Sequence, residues 1–331
     1  MGAMGLTHAV IYSQLPGSTL VGVADTNKRL VSLAHGFAKT LPVFESLETL
    51  VDEGRPDALV VCTPADTHAS VVDAAVRKQV LKGIFVEKPL ANTYHDASRI
   101  ARLASSGRLV SLVGFQKRSI PSLVQARNWI ADGLLGEPRF FRSHWLAGHV
   151  DRPATGWKHE PSSGGALLEF GIHLVDLLEW MFGPPKHVKA SAARLHSSRV
   201  EDFAAATLEY ASGLVGVIET GWSARNYNPS GLAIEVHGTL ASLTVNEDRA
   251  ILYPDARADR DGPGESVVLH SASAWGSLPF LFALPENVLF DRSFIDHLAG
   301  GSASAPDFEF AARVSLTVER IRHAFEQSGG I

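Results

Sequence analysis

Three acid and base side chains recur at helical spacing within residues 164–176 (GGALLEFGIHLVD). Glu169, His173 and Asp176 belong to a predicted helix over residues 167–182, which a Gly-Pro-Pro sequence ends. At about 100° per residue the three side chains share one stripe, separate from the apolar face of the helix. A histidine between two carboxylates suits a general base, because the acids orient the ring and stabilise its cation. The alternative is an ordinary exposed stripe with an i,i+4 pair.

A second candidate is Glu87-Lys88-Pro89, at the end of a predicted buried strand over residues 83–88 (GIFVEK). Charged residues at the carboxyl end of a parallel strand point toward the ligand crevice of such a sheet. Lys88 can donate a hydrogen bond to a substrate hydroxyl or carbonyl there. Three residues recur by chance, and a solvated loop ended by proline is the alternative.

The segment 62–68 (CTPADTH) also lies where a strand ends and a helix begins. Asp66 or Thr67 is expected to cap that helix. Thr63 and Pro64 are expected to shape the loop beside the nicotinamide half of a dinucleotide. His68 fits either a functional role or a packed or surface histidine.

The first residues have the spacing of a phosphate-binding turn. Gly2-Ala3-Met4-Gly5 matches the last two glycines of G-x-G-x-x-G, in which the backbone approaches a pyrophosphate at a helix N-terminus. Asp25 lies 20 residues beyond Gly5 at a strand end, where an acid binds the adenine-ribose hydroxyls. An acid there repels a 2′-phosphate, so NAD is favoured over NADP. A flexible terminus is the alternative for the two glycines.

The first glycine of that motif and the strand that precedes it are absent from the sequence. Losing about five buried apolar residues would remove roughly 10 kcal/mol, comparable to the stability of a whole domain. We therefore expect the natural protein to begin several residues upstream of Met1.

Strands and helices alternate through residues 1–118. Near-continuous apolar strands between helices predict a parallel sheet covered on both faces. The predicted strands are 19–25, 57–63, 83–88 and 109–115, and the predicted helices are 7–14, 28–38, 66–78 and 93–106.

Residues 119–331 follow another pattern, in which strands are joined by short turns. Residues 203–210 and 214–222 form the clearest antiparallel hairpin. We expect an α+β domain with a large, open, mostly antiparallel sheet and helices on one face. Its predicted strands are 139–145, 188–195, 203–210, 214–222, 232–237 and 242–246, and its predicted helices are 122–133, 293–298 and 308–327.

Composition excludes several classes of function. The net charge of −5 and the lack of a basic run argue against nucleic acid as a partner. No apolar stretch is long enough for a transmembrane helix, and no signal peptide is visible. The single cysteine, Cys62, fits a reducing compartment, so we expect a cytoplasmic protein. The 14 histidines form no zinc motif and G-x-S-x-G is absent, so no metal site and no serine hydrolase is expected.

Taken together, these segments resemble the Gfo/Idh/MocA family, the glucose–fructose oxidoreductase and inositol dehydrogenase group. The resemblance rests on the order of five segments: the glycine turn, TP-x-x-x-H, EKP, GFQKRSIP at residues 114–121, and the GG-A-L-L-E-x-G-x-H-x-x-D helix. It implies a Rossmann NAD(P)-binding domain over residues 1–118 and a substrate and oligomerisation domain over residues 119–331.

The resemblance also implies roles for single residues. Lys88 would contact the reacting hydroxyl and the nicotinamide ribose, and His173 would accept the proton. Glu169 stands where the family usually has aspartate, so its reach differs by one methylene. Asp176 matches a common substrate-binding aspartate.

Further positions follow from the same resemblance. Arg118 matches a basic position that borders the cofactor site, and Trp157-Lys158 lies in a segment that often covers the active site. Trp157 could stack on a sugar ring or simply be packed. The implied cofactor-binding residues are Gly2, Ala3, Met4, Gly5, Asp25, Thr63, Pro64, His68, Glu87, Lys88, Gln116 and Arg118. The implied substrate-binding residues are Lys88, Trp157, Lys158, Glu169, His173 and Asp176.

The reaction implied is hydride transfer between NAD(P) and a secondary alcohol or ketone of a sugar, cyclitol or related polyol. His173 would take the carbinol proton and Lys88 would stabilise the developing alkoxide. Two alternatives are an NAD-dependent glycoside hydrolase and a non-catalytic NAD- or sugar-binding regulator of the same fold. The open sheet would be covered by another subunit, in a homodimer or homotetramer.

Overall fold

The computed structural model describes residues 2–27, 41–148, 159–160, 164–224, 231–255, 267–270, 285–301 and 306–327. The chain forms two compact units. The first comprises Met1–Gln116 with Pro279–Ser315, and the second comprises Lys117–Leu278 with Leu316–Ile331. The expected domain boundary at residue 118 stays a prediction, and the first unit also takes in a late segment that the sequence had assigned to the second domain.

All the strand pairs described in the first unit are parallel. β1 pairs with β2, and β4 lies between β3 and β5 in a second sheet. The strands are β1 (Val23–Ala24), β2 (Val43–Phe44), β3 (Ala58–Val61), β4 (Gly83–Val86) and β5 (Val110–Val113). All four residues of β4 are buried, which explains its uninterrupted apolar sequence.

Helices alternate with these strands, as expected for an α/β unit. They are α1 (Ala3–Gln14), α2 (Leu47–Gly54), α3 (His68–Arg77) and α4 (Tyr94–Ser106). The Thr93 side chain accepts the Asp96 N–H at 3.1 Å and so caps α4. Helix α2 and strand β2 were not predicted from the sequence, and β1 is shorter than the predicted strand 19–25. The helix predicted over residues 28–38 lies outside the described residues.

Helix α7 (Pro285–Leu298) belongs to the first unit although it lies late in the chain. Its Phe290 and Phe294 pack with Tyr12 of α1 and with Phe85 of β4 in one buried cluster. Burying aromatic rings of this size is a large favourable contribution to folding. The first unit is therefore completed by a helix from far along the sequence.

The second unit contains an eight-stranded sheet. Its strand order is β13-β12-β11-β10-β6-β9-β8-β7, and only the β6–β9 pair is parallel among the pairs described. The expectation of an open, mostly antiparallel sheet is thereby confirmed, as is the β8–β9 hairpin. The strands are β6 (Pro138–Leu146), β7 (His187–Ala193), β8 (Phe203–Glu209), β9 (Val215–Gly221), β10 (Gly231–Gly238), β11 (Ala241–Asn246), β12 (Arg249–Pro254) and β13 (Val267–His270). Strands β12 and β13 were not predicted from the sequence.

The helices of this unit are α5 (Pro121–Ala131), α6 (Ile172–Phe182) and the later part of α8 (Phe308–Gln327). Alternate residues of β8 and β10 are buried on one face of the sheet. On the opposite face Phe140, Val215 and Val217 are exposed. Within the described ranges, no helix combines the length and apolar character needed to cross a bilayer.

Candidate functional site

The N-terminus of α1 offers backbone donors to a ligand. Gly2 is its N-cap, with extended backbone, and Gly2, Ala3 and Met4 are exposed. A Cβ on Gly2 would meet no atom within 4 Å, and one on Gly5 would make only an ordinary contact with Cys62 at 3.6 Å. Packing therefore does not require either glycine. An exposed helix N-terminus with glycine at the N-cap fits a pyrophosphate.

Asp25 follows β1 directly, at the carboxyl end of a parallel strand. Its Oδ1 accepts the Asn27 N–H at 2.7 Å, and the residue is half-buried. This position is the one at which an acid contacts adenine-ribose hydroxyls in dinucleotide-binding folds.

The loop after β3 exposes Thr63 and Pro64. Thr67 is the N-cap of α3, but its side chain makes no capping hydrogen bond. Its hydroxyl lies 2.8 Å from the Thr63 hydroxyl and 2.7 Å from the Pro64 carbonyl oxygen instead. The expected cap by Asp66 or Thr67 is therefore wrong, because Thr67 stabilises its own loop.

His68 is buried and connects two loops. Its Nε2 lies 2.8 Å from the Thr63 carbonyl oxygen, and its Nδ1 lies 2.8 Å from that of Pro89. Burial lowers the pKa of His68, so the neutral ring donates through one nitrogen at a time. The contacts make His68 a link between the loops after β3 and β4; its role in cofactor binding stays a prediction.

Lys88 is half-buried directly after β4. The carboxylate of Glu87 accepts the backbone N–H of Lys88 at 3.1 Å and the side-chain amide of Gln116 at 2.5 Å. A Cβ on Gly114 would approach that carboxylate to 2.9 Å, so this close packing requires glycine. Glu87 and Gln116 are both buried and contact each other; as cofactor ligands they remain predictions.

In the second unit, the helix that carries the predicted base begins with a π turn at Leu167–Gly171, followed by α6. The Glu201 carboxylate accepts the Leu167 N–H at 3.2 Å and caps this turn. Gly165 has φ of 104°, and a Cβ there would overlap the same carboxylate. The Gly-Gly sequence thus makes room for the cap. Single π turns within helices are frequent at functional sites.

His173 is buried in the first turn of α6. Its ring centroid lies 5.5 Å from that of Trp145, which stacks on Phe170 at 4.9 Å. Lys117 Nζ lies 5.2 Å from the centroid of the Trp145 ring. Trp145 was not among the residues predicted from the sequence, although alternation along β6 places it on the same face as the buried Phe141.

Asp176 is fully buried and pairs with Arg118, whose Nη2 donates to Oδ1 at 2.7 Å. Arg118 also lies over the Trp180 ring at 5.3 Å. Glu169 is half-buried, so the three predicted residues do not form an ordinary exposed stripe. The substrate and cofactor roles of Asp176 and Arg118 remain predictions, while their contacts show a buried ion pair. Trp157 and Lys158 lie outside the described residues.

Comparison with known families identifies the class of this protein. Residues 1–115 match the model of the oxidoreductase family with an NAD-binding Rossmann fold, so the chain is an NAD-binding oxidoreductase. Residues 123–244 match the model of the GFO/IDH/MocA C-terminal domain. The chain belongs to the Gfo/Idh/MocA family.

Individual relatives agree with this assignment. A levoglucosan dehydrogenase from Pseudarthrobacter phenanthrenivorans is 24% identical, over 97% of this chain and 93% of that enzyme. An inositol 2-dehydrogenase from Rhizobium meliloti is 28% identical, over 78% of this chain and 77% of that enzyme. A solved levoglucosan dehydrogenase complex with NADH and levoglucosan has a TM-score of 0.85 at 22% identity, covering 98% of this chain and 95% of that chain. This last similarity confirms the fold.

Proposed function

We propose that the protein transfers a hydride between NAD and a secondary alcohol or ketone of a cyclic sugar, cyclitol or related polyol. The observation that carries the proposal is the buried His173, held at the start of α6 and next to the Trp145 ring. The names of the relatives support the substrate class, since they are dehydrogenases of levoglucosan and inositol.

The residues that would hold NAD are on the first unit. The backbone at Gly2–Gly5 would bind the pyrophosphate and Asp25 the adenine ribose, while Thr63 and Pro64 would flank the nicotinamide half. The dinucleotide supplies the hydride acceptor for oxidation. Asp25 favours NAD over NADP because its carboxylate would repel a 2′-phosphate.

The remaining chemistry is proton transfer and charge stabilisation. In the oxidative direction His173 accepts the proton of the carbinol hydroxyl, and Glu169 supports the imidazolium that results. Lys88 donates a hydrogen bond to the alkoxide as it develops. Asp176 and Arg118 act less directly: their buried ion pair joins α6 to the residues just before α5 and so fixes the helix that carries the base.

The test is absorbance at 340 nm with NAD or NADP and a panel of sugars, inositols and their keto forms. Lys88→Met and His173→Asn should each lower kcat by about 10²–10⁴-fold. Lys82→Met and His95→Gln are matched controls on exposed side chains of the first unit, and should leave the rate unchanged.

Two results would contradict the proposal. Release of an aglycone from glycosides without net NADH would indicate the glycosidase alternative. Tight binding of NADH and a polyol with no turnover of any panel member would indicate a regulator.

We also propose that a second copy of the chain covers the outer sheet face that exposes Phe140, Val215 and Val217. Light scattering should give the mass of a dimer or tetramer, and Val217→Lys should lower it. Leu195→Lys, at an exposed apolar residue after β7, is the control. A monomeric wild type would refute this assembly.

A cytoplasmic location stays a prediction from the single cysteine.

A further inference from the structure

A buried charged cluster lies in the first unit, next to the strand end that carries Lys88. His8 of α1 is only 1% exposed, and its ring lies between two carboxylates. Its Nδ1 is 2.7 Å from Asp291 Oδ2, and its Nε2 is 3.0 Å from Glu87 Oε1. One histidine therefore connects α1, the end of β4 and α7.

Both carboxylates favour the charged form of this histidine. Burial alone would lower the pKa of His8, but hydrogen bonds and charge interactions with Asp291 and Glu87 raise it to about 10. Burial raises the pKa of Asp291, and the contact with His8 opposes that rise. The other titratable groups that face the cluster are Tyr12 on α1 and Cys62 after β3. At neutral pH His8 is an imidazolium that donates to both acids.

The packing around Glu87 leaves its carboxylate little freedom. Gln116 donates to Oε1, a Cβ on Gly114 would approach the carboxylate to 2.9 Å, and the His8 ring packs on Phe85 at 5.0 Å between centroids. The Oε2 atom accepts the backbone N–H of Lys88. The Glu87 side chain therefore connects His8 to the main chain at Lys88.

Fold stability alone is a weak explanation for this cluster. Bringing two carboxylates and an imidazolium into a protein interior carries a desolvation penalty that their attraction only partly offsets. Well-packed apolar side chains of similar volume often stabilise a fold equally well. Hydrogen-bonded charged groups do hold the residues around them in one fixed geometry. A residue that contacts reacting atoms needs to be held in this way.

We propose that His8 and Asp291 are positioning residues for Lys88, acting through Glu87. The proposal rests on the function proposed above, in which Lys88 contacts the alkoxide. Because His8 lies one turn after the glycines of α1, the helix that would bind the pyrophosphate also aligns the lysine. Neither His8 nor Asp291 contacts substrate in this scheme.

A kinetic double-mutant cycle tests the proposal. His8→Gln and Asp291→Asn should each lower kcat by about 10–100-fold, with KM for the polyol nearly unchanged, because misplacement of a group that contacts the reacting atoms lowers the rate. Neither change should lower the rate further in a Lys88→Met background. Equal losses in both backgrounds would overturn the proposal. His95→Gln and Asp296→Asn, at exposed positions, are the matched controls.

A second readout needs no turnover. Lysines are labelled by reductive ¹³C-methylation, and the Lys88 resonance is assigned by its loss in Lys88→Met. His8→Gln and Asp291→Asn should shift this resonance and leave the other lysines in place, while the controls shift nothing. An unmoved Lys88 resonance in both folded variants would overturn the positioning role. If the wild type turned over no polyol, the proposed function would fail and this measurement alone would decide the role of His8. Asp291→Asn keeps the side-chain shape and serves if His8→Gln does not fold.

Discussion

Arg118 donates three hydrogen bonds of 2.7–3.1 Å to the carboxylate of Asp176, which is completely buried. Burial nevertheless raises the pKa of Asp176 to about 6, against the opposing effect of Arg118. The ion pair fixes α6 to the segment before α5, but the charged carboxylate is not strongly favoured there.

The raised pKa gives Asp176 a defined effect on stability. The folded state binds its proton more tightly than the unfolded state, where the pKa is 3.8. The contribution of this group is therefore greatest below pH 4 and falls as the pH rises to about 6, by up to about 3 kcal/mol. Asp176→Asn should remove this slope. Urea unfolding of both proteins at pH 4, 5, 6 and 7 measures this slope. A wild type whose free energy of unfolding rises with pH relative to that of Asp176→Asn would contradict the assignment.

His8, which is a base, should also make the free energy of unfolding depend on pH, but in a higher pH range than Asp176. Its pKa is about 10 in the folded protein against 6.5 for the ordinary group. Its stabilisation is complete below pH 6.5 and is lost as the pH rises toward 10, by an amount on the order of 5 kcal/mol. Thermal unfolding of wild type and His8→Gln between pH 6.5 and 10 should show the two proteins converging. Parallel curves would mean that His8 is not charged.

Gly165 should be far less tolerant of a side chain than Gly183, although both have positive φ. Gly183→Ala meets no atom within 4 Å, so only the backbone strain of about 1 kcal/mol applies. Gly165→Ala also displaces the Glu201 carboxylate that caps the π turn, and should lose at least about 2 kcal/mol more. Chemical denaturation measures both changes. Equal losses would show that the cap contributes little.

Asp25 should control the choice of dinucleotide. Asp25→Ser removes the charge that would repel a 2′-phosphate, and should raise the ratio of kcat/KM for NADP to that for NAD about tenfold, which corresponds to about 1.4 kcal/mol. Asp57→Ser, at an exposed acid elsewhere in the first unit, is the control. An unchanged ratio would place cofactor selection in other residues.

Local patterns explain which parts of this fold could be predicted. The apolar run of β4 and the turn between β8 and β9 depend on neighbouring residues, and both elements are present. The motif order also indicated the family. The π turn could not be predicted, because an apolar periodicity of three to four residues does not distinguish one wider turn from a continuous helix.

Long-range contacts explain what the sequence left out of the site. No residue near His8 in the sequence indicates its role, because its partner Asp291 comes from α7, 283 positions later. The spacing of Asp176 gives its helix face but does not show that Arg118 packs against its carboxylate. Burial and partner choice depend on tertiary packing, which one sequence does not contain.

The contact between His8 and Asp291 can form only late in translation. The two residues are 283 positions apart. At about 5–20 residues per second, a ribosome makes His8 roughly 14–57 s before its counter-charge. Every strand that the structure describes in the second unit is translated within that interval. The first unit can therefore be completed only after the whole sheet of the second unit has been synthesised. Until then, His8 on nascent α1 lacks Asp291, one of its two carboxylate partners.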